Sequence, residues 1–130
     1  MLRRSVAALS LALLTGCATV PADPIERLQQ QAWAEPWAMC PGDWEPKPSC
    51  SCRNRSLWLL TELRSLGYDP TILVGYRSEQ PTVLHMTITV DGLVLDYDGL
   101  HTLEAYSVAW KPADWYNWRM VAKHHTGKAY

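Results

Sequence analysis

Apolar positions along this chain change their period partway through. Leu59, Leu60, Leu63 and Leu66 fall at i, i+1, i+4 and i+7, one stripe of a helix. Ser51 is a suitable N-cap and Gly67 a suitable C′ residue, so the spacing predicts a helix from Cys52 to Leu66. Counting back seven positions from Leu59 reaches Cys52, which puts a thiol in the first turn on the core-facing stripe. Upstream, 24–35 predicts another helix. Pro24 stands near its start, Ile25, Leu28 and Ala32 keep helical spacing, and Pro36 is a stop. Residues 36–51 hold four prolines and a glycine and read as an irregular loop.

Beyond Gly67 the period falls to two. Residues 71–76 are β-branched and apolar. Over 82–90, Leu84, Met86, Ile88 and Val90 share one face, and Val83, His85, Thr87 and Thr89 the other. Asp91-Gly92 signals a two-residue hairpin, with 93–97 as the return strand. This turn pairs Val90 with Leu93, Ile88 with Leu95, Thr87 with Asp96 and His85 with Asp98. His85, Asp96 and Asp98 then share a face, with Asp98 opposite the histidine and Asp96 its diagonal neighbour, at about 5–8 Å. Both faces need covers, and the first helix and the tail with Trp110, Trp115 and Trp118 are available. The tail reads as loop followed by a strand at 118–123, with His124 and His125 solvated near the end.

Chemistry enters with the cysteines. A helix start presents unpaired N–H groups and a positive dipole end, both of which lower a thiol pKa. Arg53 and Arg55 add charge beside Cys52. Cys40 and Cys50 bracket a turn-rich loop that a disulfide would close, leaving Cys52 free. A Cys50–Cys52 ring is strained, although Cys50 could instead resolve an oxidised Cys52. No second Cys or His pair follows at zinc-finger spacing, so no metal and no cofactor is expected.

The ends set the context. Arg3 and Arg4 precede an apolar run, Ser5 to Leu14, too short to cross a bilayer. Leu14-Thr15-Gly16-Cys17 resembles the bacterial lipobox. That resemblance implies cleavage before Cys17 and lipidation of its thiol, with palmitate-type acyl chains as the anchor. Ala18 rather than Asp after it implies the outer membrane, facing the periplasm. An ordinary secretory signal cleaved near Ala18 is the alternative. Removing residues 1–16 takes Arg3 and Arg4 away, so a net charge of −1 becomes −3. No basic stripe invites nucleic acid.

Cys52, Leu66-Gly67, Ile72-Leu73-Val74-Gly75-Tyr76, His85 and Leu95-Asp96 occur in an order that resembles the transglutaminase-like, papain-fold cysteine peptidases of bacteria. The resemblance covers 52–96. It implies an α+β fold with the nucleophile helix packed on a small antiparallel sheet, and three units: signal peptide 1–16, lipidated Cys17 and tether 17–24, and a transglutaminase-like domain 25–130. Cys52 would be the nucleophile, His85 the base and Asp96 the orienting carboxylate, with Asp98 the runner-up. The Cys52 N–H and an upstream donor, Trp44, Trp37 or Gln31, would form the oxyanion hole. Relatives with calcium near the cysteine use adjacent carboxylates that are absent here, so no calcium is expected. The implied activity is hydrolysis or acyl transfer at amide bonds of an envelope protein, peptide or peptidoglycan stem. Two other readings stay open: a non-enzymatic, degenerate envelope lipoprotein or adaptor, and an NlpC-type peptidoglycan endopeptidase. The latter family tends to place Asp before the cysteine, where Ser51 stands.

Overall fold

The computed structural model describes residues 23–113 and 117–130. The signal segment, Cys17 and Trp115 lie outside them. Helix α1 spans Pro24–Ala32 and α2 Cys52–Ser65. Strands β1 (Thr71–Arg77), β2 (Gln80–Val90), β3 (Leu93–Asp96) and β4 (Gly99–Thr102) follow, then α3 (Leu103–Val108), β5 (Trp110–Pro112) and α4 (Trp118–Thr126). The sheet is antiparallel throughout, in the order β4-β3-β2-β1-β5. The architecture is a small α+β domain. Among the described residues, no helix is long and apolar enough to cross a membrane.

Helix α2 lies on the face of the sheet that the period-two pattern marks as apolar. Leu57, Leu59, Leu60 and Leu63 bury against Met86, Ile88, Val90 and Leu95. Leu66, which the stripe included, is the C-cap and 51% exposed. Helix α1 adds Ile25, Leu28 and Ala32 to the same core. It ends at Ala32, short of Glu35. Its last carbonyl, with those of Glu35 and Pro36, accepts from the buried Arg55 guanidinium instead of continuing a helix. Asp23 caps its start, accepting from the Ile25 N–H at 3.0 Å.

The hairpin register follows the turn at Val90↔Leu93 and Ile88↔Leu95, but the ladder stops there. The chain turns at Tyr97 and Asp98 into β4, which pairs back on β3 through Asp96↔Gly99. Asp98 is thereby carried away from the position opposite His85. The second Asp-Gly, Asp98-Gly99, is the signal for this hairpin, and Gly99 has φ +120°.

The tail also departs from expectation. Helix α3 and strand β5 stand where a loop was expected, and 118–123 is helical. Trp118 and Ala122 are four apart and both buried, and Gly127 closes α4 in the left-handed conformation. His124 and His125 are exposed, though His125 stacks on Trp44 at 6.2 Å. Strand β5 pairs with β1 beside Gly75, where a Cβ would overlap the Lys111 carbonyl and the Trp110 indole. That close approach brings Trp110 against His85, ring centroids 6.3 Å apart.

Candidate active site

Two elements bring the sulfur to the sheet. Cys52 opens α2, and its Sγ accepts from the Met86 N–H at 3.5 Å. Ser56, one turn on, donates to the Met86 carbonyl at 2.9 Å. The first turn of α2 therefore docks on the edge of β2 beyond the end of β3. His85 follows strand alternation and its side chain lies on the face away from Met86. Sulfur and imidazole meet around this edge, so the polar and apolar faces both contribute to one site.

Asp96 is fully buried at the end of β3. Its Oδ1 lies 2.7 Å from His85 Nε2 and accepts from the Tyr97 N–H at 2.8 Å. Its Oδ2 accepts from the Tyr106 hydroxyl at 2.7 Å and from Arg77 at 3.0 Å. Gln29 of α1 donates to the Asp96 carbonyl at 2.7 Å. With Nε2 engaged, Nδ1 is the ring nitrogen left for the thiol. Tyr97 and Trp110 close on the imidazole edge to face. Asp98 sits outside this set, paired with Arg77 at 2.9 Å and His101 at 2.7 Å.

The electrostatics follow from this packing. Burial opposes charge on Cys52, but hydrogen bonding and charge from His85, with the Met86 N–H, hold its pKa below the ordinary thiol value. Burial also opposes the imidazolium, yet Asp96 and then Cys52 raise His85 to about 9. Asp96 is lowered: burial works against its charge, and His85, Tyr106 and the Tyr97 N–H outweigh it. The three groups can thus hold a thiolate–imidazolium pair braced by a carboxylate.

The arginines following Cys52 are committed elsewhere. Arg53 donates to the Asp43 and Cys40 carbonyls and stacks on Trp44. Arg55 serves the Ala32, Glu35, Pro36 and Cys50 carbonyls and lies over the Trp33 ring. Asn54 links the Ser51 N–H to the Asp43 and Glu45 carbonyls. Cys40 and Cys50 are joined in a disulfide, and Cys52 is free. Cys40, Asp43 and Cys50 lie close enough to suggest a metal cluster, but the disulfide removes both thiolates as donors.

Cys52 and His85 line a groove of about 960 Å³. Of the oxyanion candidates, Trp37 lines it, Trp44 is packed in the core, and Gln31 is exposed on α1 away from it. The Cys52 N–H stands at the first helical position, where the helix supplies no acceptor. Trp33, which sequence reasoning passed over, also lines the groove, and its buried indole N–H has no hydrogen-bond partner among the described residues. Tyr106 and Arg77 were likewise missed. A Tyr in a six-residue helix and an Arg at a strand end carry no spacing signal toward Asp96.

Comparison with family models, with curated proteins and with solved structures finds no match to the chain.

Proposed function

We propose that this protein is a lipid-anchored cysteine hydrolase or acyltransferase of the bacterial envelope, built on a transglutaminase-like variant of the papain core and acting on amide bonds. The observation that carries the reading is the buried 2.7 Å His85–Asp96 pair acting on a half-buried thiol at a groove wall. Cys52 is the nucleophile, His85 the base and later acid, and Asp96 the group that fixes the ring. The thiolate attacks the amide carbonyl, and the Cys52 N–H stabilises the oxyanion. The C–N bond breaks as His85 gives its proton to the leaving amine, leaving a thioester. Water or a second amine attacks that thioester, its proton passing to His85, and frees the sulfur. Cys17 anchors the chain through its lipid, by the lipobox resemblance, with the outer membrane as its site.

A non-enzymatic envelope adaptor is the competing reading, favoured by the placement of Trp44 and Gln31 away from the groove. Iodoacetamide labelling of the full chain at pH 6, read at Cys52 by peptide mass spectrometry, separates the two. A His-paired thiolate labels on the order of 10²-fold faster than a free thiol, and His85→Ala removes the advantage. Labelling no faster than a model thiol, and indifferent to His85→Ala, makes the protein an adaptor. Incubation with purified peptidoglycan, then with envelope proteins, distinguishes the substrate classes.

A further inference from the structure

Helix α3 buries one side chain. Leu103, Glu104, Ala105, Ser107 and Val108 are exposed, and Tyr106 is buried. No residue of α3 belongs to the apolar core cluster built by α1, α2 and the sheet. The helix is nevertheless tied at both ends. The Leu103 N–H donates to the Gly92 carbonyl at 2.8 Å, and the Ala109 carbonyl accepts from the Ser78 N–H at 2.9 Å. A six-residue helix held this way, yet outside the apolar core, matters through what its one buried side chain touches.

The Tyr106 hydroxyl donates to Asp96 Oδ2 at 2.7 Å, and its ring packs on Trp110 with centroids 5.2 Å apart. Both neighbours reach His85, Asp96 through Oδ1 and Trp110 through its indole. The Arg77 guanidinium and the His101 ring lie against the tyrosine at 5.5 Å and 5.4 Å, and Asp98 pairs with both of them. Burial and the Asp96 charge push the Tyr106 pKa up, so the hydroxyl keeps its proton and remains a donor. The χ2 torsion of an aspartate is broad, so Asp96 needs a partner on each oxygen to hold its plane. On Oδ2, Arg77 is divided among Glu79, Asp96 and Asp98. Tyr106 is the neutral, buried donor there.

We infer that Tyr106 is a positioning residue for the reaction: its hydroxyl locks the Asp96 carboxylate in the plane that meets His85, and α3 is the strut that delivers it. This inference rests on the cysteine-enzyme reading and adds a group to its machinery. Two roles for the hydroxyl carry opposite signs. A donor that only withdraws charge makes Asp96 a poorer partner, and removing it raises the His85 pKa. A donor that aligns Asp96 strengthens the pair, and removing it lowers the His85 pKa.

NMR titration of the His85 imidazole in the full chain carrying Cys52→Ser reads that sign. Tyr106→Phe keeps the ring on Trp110 and removes the hydroxyl alone. The pKa should fall by about one pH unit, a roughly tenfold weaker hold on the imidazolium. Tyr106→p-aminophenylalanine keeps a weaker donor at the ring tip and should give a smaller fall. It also carries the test if the Phe chain shows no cooperative urea transition. With Asp96→Asn already present, Tyr106→Phe should leave the pKa where it is. A rise, an unchanged pKa, or an equal fall in the Asp96→Asn chain overturns the inference. Where Cys52 labelling in the unaltered chain is fast and dependent on His85, the enzyme reading survives that result. Slow labelling indifferent to His85→Ala removes both together.

Discussion

Arg55 and Arg77 support opposite sides of the same cysteine and are held in opposite ways. Arg55 is fully buried and gives its hydrogen bonds to neutral carbonyls at the end of α1 and in the loop after it. Arg77 lies among carboxylates, those of Glu79, Asp96 and Asp98. A carbonyl does not titrate, so the loop wall of the groove is held alike across a wide pH range. The sheet wall depends on charges on Asp96, Asp98 and His85, and so on bound protons. One wall is fixed by backbone geometry and the other by ionisation, with the thiol between them.

Arg55→Met should have the largest effect on stability. It leaves the buried Ala32 carbonyl and the part-buried Glu35, Pro36 and Cys50 carbonyls without their donor, and a loss of about 3 kcal/mol is expected in urea unfolding. The loss should be the same at pH 5 and pH 8, and a pH-dependent loss breaks the comparison.

Asp96→Asn comes next, at about 2 kcal/mol, because Arg77 and His85 lose the charge they face. Cys52 labelling at pH 6 should slow with it. The raised pKa of His85 means its contribution is fully present below the unfolded value near ~6.5 and is lost as pH rises through the folded value. Cys52→Ser leaves that titration uncomplicated by the thiol, so its urea midpoint should fall as pH climbs above about 6.5. Adding Asp96→Asn should flatten this limb, and an unchanged slope would remove His85–Asp96 as the origin of the pH dependence. Asp96 is lowered, so its own contribution is present above about pH 4 and lost as pH falls through its folded value.

Asp98→Asn sharpens the contrast by doing least. Partial burial works against its charge, while Arg77 and His101 bring its pKa down to about 2. Its contribution is therefore lost only as pH falls from about 4 toward 2. The group is partly exposed, and a change within about 1 kcal/mol at neutral pH is expected. Cys52 labelling should not move. A tenfold slowing would make Asp98 a member of the site and displace the Asp96 assignment.

The parts of the molecule legible in the sequence are those with strong local rules. The Leu59–Leu63 stripe, the Ser51 start and the Asp91-Gly92 turn set α2 and the β2–β3 hairpin. The order Cys52, His85, Asp96 names three groups that the fold gathers. What escaped reading depended on contacts between distant segments. Arg55 binds the last carbonyl of α1 from 23 residues away. The turn at Tyr97–Asp98 decides which carboxylate faces the histidine, and a ladder continued past Ile88↔Leu95 to His85 would have placed Asp98 there instead. Tyr106 reaches Asp96 from a helix too short to show a period. Trp118 and Ala122 are compatible with strand or helix until the core they enter is known.

The Cys40–Cys50 bridge has a consequence for the fate of the remaining thiol. Cys52 is depressed toward the thiolate and opens onto a groove, the combination that peroxide attacks first. A sulfenic acid formed there is normally rescued by a neighbouring thiol, and Cys50 is the neighbour in sequence. Because its sulfur is already spent on Cys40, that repair is closed to it, and returning Cys52 to service requires a reductant delivered from another molecule.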